Sequence, residues 1–131
     1  MTSQTKLPTI EKYKSIRKDK KWIPIKPLPN AFVVNIGNIL EIMTNGIYRS
    51  VEHRAIIHST KERLLVAAFH NPKVGVEIGP IPRMITPESP ALFKTIGYED
   101  YCKKYFSRKP DGKSSLDFMK IGEGNEDNKA T

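Results

Sequence analysis

Two side chains in the 131-residue sequence are of a type and spacing that could do chemistry, His53 and Arg63. Strand-like alternation places His53 on a face with Val51, Ala55 and Ile57, and Arg63 on a face with Leu65, Ala67 and Phe69. An imidazole on an apolar strand face is either a hydrogen-bonded core residue or a metal ligand. A guanidinium is harder to place there, because its burial needs an anion. That anion is a carboxylate of the protein, with Glu41, Glu52 and Glu62 as candidates, or it is an anionic ligand. An imidazole and a guanidinium on the inner faces of adjacent strands point to a metal beside an anchored carboxylate ligand. The other histidines, His58 and His70, fall on the opposite face and should be exposed. Neither stands at i, i+2 or i, i+4 from His53, so no metal triad forms within one element.

The elements that must position these residues are mostly strands. Residues 1–15 are polar without an apolar period and read as a flexible leader. Ile16, Trp22, Ile23 and Ile25 then bracket the polar stretch 18–21, as two short strands around a turn would, although Lys20 stands where a tight hairpin prefers glycine. Pro24, Pro27 and Pro29 exclude helix and carry the chain over a sheet edge. Phe32, Val34 and Ile36 alternate as a strand, Gly37 and Asn38 supply a turn, and the apolar run 39–43 reads as the next strand. Residues 51–58 and 63–70 read as an antiparallel pair around a polar turn, and 74–78 as one more short strand. The prolines from Pro80 to Pro90 argue against regular structure. Tyr98, Tyr101, Cys102, Tyr105 and Phe106 fall at i, i+3, i+4, i+7 and i+8, the stripe of an amphipathic helix over about 97–107. Residues 122–131 are polar and aperiodic, an expected disordered tail. Several short strands followed by one helix predict a mainly β sandwich or barrel with a C-terminal helix.

Composition narrows the function classes. No apolar run approaches the roughly 18 residues that span a bilayer, and residues 1–10 lack the apolar core of a secretory signal, so the expected address is cytoplasmic. One cysteine, Cys102, excludes an internal disulfide and every multi-cysteine zinc pattern, and reads as a small buried hydrophobe. The net charge is +8, with Lys6, Lys12, Lys14, Arg17, Lys18, Lys20, Lys21 and Lys26 crowded at the N-terminal end. Such a cluster could attract nucleic acid. With only Tyr13 and Trp22 interleaved as stacking aromatics, a solvated strand and turn is the better reading.

Non-haem iron oxygenases use two histidines and one carboxylate on one face of the metal and leave positions for a 2-oxo acid and oxygen. The stretch WIPIKPLPNAFVVNIGNILEIMTNGIYRSVEHRAIIHSTKERLLVAAF (22–69) resembles the second half of the catalytic barrel of plant Fe(II)/2-oxoglutarate-dependent dioxygenases of the isopenicillin N synthase-like group. The resemblance continues through NPKVGVEIGP, SPALFKTIGYEDYCKKYFSRK and LDFMKI, and so covers about 16–121. It implies a partial double-stranded β-helix (jelly-roll) barrel, Fe(II) as cofactor and 2-oxoglutarate as cosubstrate. It also implies oxidation of a small organic molecule coupled to 2-oxoglutarate decarboxylation. Within that family the YRSVEHR segment carries an iron-binding histidine, which falls on His53, and the 2-oxoglutarate arginine ten residues later falls on Arg63.

Three departures from the family pattern bear on activity. The family's other histidine and its aspartate form an H-x-D pair, and no H-x-D occurs in these 131 residues. Leu65 stands where the R-x-S motif has a serine, which removes a donor to the 2-oxoglutarate carboxylate. Leaving one carboxylate oxygen unsatisfied costs about 1–3 kcal/mol, or one to two decades in affinity. Asn38 and Lys20 replace an aspartate and a turn glycine, which affects turns more than chemistry. The expectation is the C-terminal part of a dioxygenase domain that is inactive alone. Its alternative is a non-catalytic, truncated protein that binds a partner along open strand edges, or itself.

Overall fold

The computed structural model of the chain describes residues 14–26, 28–56, 60, 65–108 and 116–122. They divide between two compact units, one within Met1–Asn35 and Val51–Ala67, the other within Ile36–Ser50 and Ala68–Thr131.

The first unit holds a three-stranded antiparallel sheet. Strand β1 (Lys14–Lys18) lies between β2 (Lys21–Ile25) and β3 (His53–Ala55), in the order β2-β1-β3. The expected hairpin forms, and its two-residue turn is closed by Asp19 (φ 49°) and Lys20 (φ 62°). Both adopt the left-handed backbone that this turn requires, and neither is glycine. The strand starts at Lys14, inside the stretch expected as leader. Lys14 faces Ile25 on one side and Ala55 on the other, so pairing fixes it without an apolar period, and Ser15 is buried. The rest of the expected leader, residues 1–13, lies outside the described residues.

Register assigns the two faces of this sheet. Ile16 pairs with Ile23 and with His53, so Ile23, Ile16 and His53 form a row across all three strands, flanked by Ile25 and Ala55. The opposite face carries Arg17, Trp22 and Arg54, and the Arg54 guanidinium sits 4.1 Å from the centre of the Trp22 indole.

Three strand assignments need correcting. Residues 38–43 form a helix, α1 (Asn38–Met43), because a five-residue apolar run fits a helical turn as well as a strand and Ile39, Ile42 and Met43 recur at helical spacing. Residues 31–35, despite their alternation, have no regular structure, and Phe32 and Val34 are 97% and 84% exposed. Residues 65–70 likewise form no strand; among the described residues the partner of β3 is β1. Alternation shows that a segment can line a face and does not show which neighbour shares it.

The second unit contains the apolar core. Strands β4 (Glu77–Ile78) and β5 (Ile96–Gly97) pair antiparallel, and β5 runs directly into α2 (Tyr98–Ser107), inside the span expected for the helix. Ile42, Ile78, Phe93, Tyr101, Leu116 and Met119 are buried together, packed by Ile39, Ile96, Tyr98, Cys102 and Phe118. Cys102 is half-buried, and Phe106, placed in the apolar stripe by its spacing, is 79% exposed. Gly79 is required by close packing, since a Cβ there would overlap Thr95. Among the prolines, Pro82–Met84 makes one short 3-10 turn, and Thr86 bridges Ser89.

The turn after α1 is a joint of this unit. Thr44 Oγ donates to the Leu40 carbonyl, and Asn45 follows at φ 49°, then Gly46 at φ 82°. Asn45 is 4% exposed; its Nδ2 donates to the Pro90 carbonyl at 3.0 Å and its Oδ1 accepts from the Leu92 amide at 2.8 Å. Among the described residues no helix is long and apolar enough to cross a membrane.

Candidate functional site

The candidate site is the β3 strand and the residues that hold it. His53 is the first residue of β3, in register with Ile16, on the apolar row of the three-stranded sheet. Alternation places His53 on an inner, apolar face; the row it joins is apolar, but all three residues of β3 are exposed. The His53 Nδ1 lies 3.2 Å from the Val51 carbonyl. A carbonyl only accepts, so this contact suits a ring with its proton on Nδ1, in which Nε2 carries the lone pair. That is the state in which a neutral imidazole binds a metal.

Glu52, between these two groups, is held twice by the neighbouring strand. The Arg17 amide donates to the Glu52 carbonyl at 2.8 Å, and the Arg17 guanidinium contacts the Glu52 carboxylate at 2.9 Å. Glu52 was one candidate anion for a buried arginine, and its partner among the described residues is Arg17. Glu41, another candidate, accepts the Ser50 amide at 2.7 Å in the second unit. Arg63, the expected carboxylate anchor, lies outside the described residues, as do Glu62 and His58. Leu65 is 55% exposed, and His70 is exposed as expected.

An Fe(II) site of this kind needs two histidines and one carboxylate. His53 fits one ligand position, with Nδ1 against the Val51 carbonyl and Nε2 without a hydrogen bond to any described residue. Among the described residues no group of three or more His, Cys, Asp or Glu could hold a metal ion, and the sequence contains no H-x-D. The described residues therefore offer one ligand of the right kind and no set of three.

Residues missed from sequence include Asn45 and Arg17. The Asn45-Gly46 dipeptide is a turn signal that would have marked the first. For Arg17 no local signal exists, since its partner is 35 residues away.

Comparison with known proteins is consistent across sequence and structure. A family model described as 2OG-Fe(II) oxygenase superfamily matches residues 3–72, which include His53, Arg63 and Leu65. The chain is 65% identical over 106 residues to codeine O-demethylase of Papaver somniferum, covering 81% of this chain and 29% of that protein. It is 57% identical to S-norcoclaurine synthase 1 of Coptis japonica, covering 81% of this chain and 30% of that one. The chain thus spans about 30% of the length of the curated relatives it matches. A crystal structure of JOX2 in complex with 2OG, Fe and JA superposes with a TM-score of 0.73 at 38% identity, over 84% of this chain and 32% of that one. A dioxygenase for auxin oxidation from rice shares the fold at a TM-score of 0.63 and 21% identity. The fold is the jelly roll of these enzymes in part; the described residues contribute sheets of three and two strands and no closed barrel.

Proposed function

Because the chain belongs to the 2OG-Fe(II) oxygenase superfamily, whose cofactor is Fe(II) and whose cosubstrate is 2-oxoglutarate, we propose that it supplies the C-terminal part of a dioxygenase active site. In this reading His53 holds the iron through Nε2, and Arg63 holds the far carboxylate of 2-oxoglutarate by a charge-assisted, bidentate contact. The bound iron supplies oxygen activation, coupled to decarboxylation of the 2-oxo acid, for oxidising a small organic molecule. The observation that carries the reading is His53 itself: a metal-competent imidazole, on an apolar strand face, within the matched family segment.

Relatives named for different reactions share this segment at 56–65% identity, among them a synthase and demethylases of an alkaloid and a flavonoid. That similarity supports a segment carrying the common machinery, with substrate choice made elsewhere. A second, non-catalytic reading, a protein that works by binding a partner, draws on the absence of H-x-D and on Leu65.

The test is an anaerobic titration with Fe(II) and 2-oxoglutarate, read by the visible charge-transfer band of a chelated iron and 2-oxo acid complex. The 131-residue chain alone should give no band. Placed behind the upstream part of codeine O-demethylase, it should give one that His53→Ala abolishes. A band that survives His53→Ala would remove His53 as a ligand. No band in the fused protein would favour the non-catalytic reading.

A further inference from the structure

Resting on the reading of His53 as a metal ligand, we propose that Arg17 is a positioning residue, which clamps Glu52 and through it fixes the His53 ring with Nε2 free. Glu52 is the one residue between the ring and the carbonyl the ring contacts, Val51 O. Any swing of the Glu52 backbone moves that carbonyl relative to the ring. Arg17 blocks the swing at two points, the Glu52 carbonyl by a backbone bond and the Glu52 carboxylate by an ion pair. The side chains of the pair are 41% and 49% exposed, so as an isolated ion pair it adds little to stability. Its effect is directional: it adds a second anchor to a short strand that, among the described residues, pairs on one side only.

Geometry ties this clamp to the ring and not merely to the sheet. Ile16, the residue before Arg17, is the register partner of His53, so the dipeptide Ile16-Arg17 holds the dipeptide Glu52-His53 at both positions. Arg17 faces away from the apolar row while Ile16 lies on it, so Arg17 acts on the imidazole through Glu52 and never touches the metal side.

The experiment uses the full 131-residue chain labelled with 15N-histidine, and long-range proton–nitrogen correlations of the three imidazoles in their neutral form. His53→Ala identifies the His53 signals. In the wild-type chain His53 should show the Nδ1-protonated tautomer as its major form. Arg17→Ala keeps the backbone amide and removes the guanidinium; it should lower the Nδ1-protonated share at least two-fold, toward the Nε2-protonated form that free imidazole side chains favour. Arg17→Lys, which retains the cation, should restore it. A merely stabilising role would change the folded fraction and leave the tautomer of the folded molecules alone. An unchanged His53 pattern in Arg17→Ala, or an Nε2-protonated ring in the wild type, would overturn the proposal. Failure of the premise is distinguishable, because it appears in the iron titration and leaves these spectra as they are.

Discussion

At the scale of single residues, the chemistry depends on atoms that are few and specific. On the proposed function Leu65 is the clearest case, since it stands where a hydroxyl donor is expected beside the 2-oxoglutarate anchor, Arg63. In the fused dioxygenase, Leu65→Ser should tighten 2-oxoglutarate binding by about one to two decades, measured by titrating the charge-transfer band. An unchanged affinity would mean that residue 65 does not approach the cosubstrate. Tyr101 offers a test of the core. Burial pushes its hydroxyl up to about 12, the neighbouring Tyr105 adds to the rise, and a hydrogen bond with Asn38 works against it. The folded state therefore keeps this proton where the unfolded chain loses it, so the contribution is complete below pH 10 and is lost as pH rises toward 12. Thermal melts of the wild type should drop more steeply over that interval than those of Tyr101→Phe. Of these residues, His53 was marked in sequence by type and alternation and lies on the Ile16–Ile23 row; Arg63, marked in the same way, lies outside the described residues. Arg17 was not, since an ion pair to a residue 35 positions away leaves no local trace.

Elements were legible where the period was long enough to be unambiguous. The hairpin and α2 each span a pattern that only one geometry satisfies, and both formed. The run 39–43 is too short for its period to decide, and Gly37 starts a helix there. Residues 65–70 form no strand for a different reason: alternation marks a face and not a ladder partner, and β3 pairs with β1 instead. The hairpin also carries strain that sequence alone only hinted at. Lys20 sits at φ 62°, where a side chain costs about 1–2 kcal/mol, partly offset by the extra freedom glycine gives the unfolded chain. Lys20→Gly should therefore stabilise the chain by about 0.5–1 kcal/mol in denaturant titration, and a loss of stability would show that the lysine makes a compensating contact.

On the scale of the whole molecule, apolar surface is unevenly used. Among the described residues, all six buried core hydrophobics belong to the second unit. In the first, Phe32, Val34 and Val66 are each more than four-fifths exposed, and Ile23 on the His53 row is 42% exposed. Side chains of this kind seek cover. The isolated chain should self-associate at micromolar concentration, seen as an average mass that rises with concentration in sedimentation equilibrium. Phe32→Lys with Val34→Lys should reduce it. A single monomeric species with a cooperative melt would contradict the expectation. The jelly-roll ancestry was legible from the extended resemblance over 16–121; the division into two units was not, because each is assembled from separated stretches of chain.

That assembly gives the buried Asn45 a role larger than its own hydrogen bonds. The second unit leaves off at Ser50 and resumes at Ala68, so residues 51–67 are spliced into it as an insert. Asn45 grips Pro90 and Leu92 from the near side of the splice, and the Ile81 amide reaches back to the Met43 carbonyl at 2.9 Å. The join is thus made by side chain and backbone across the gap, not by the covalent chain alone. A protein built this way can be severed within the insert and still hold its larger half together.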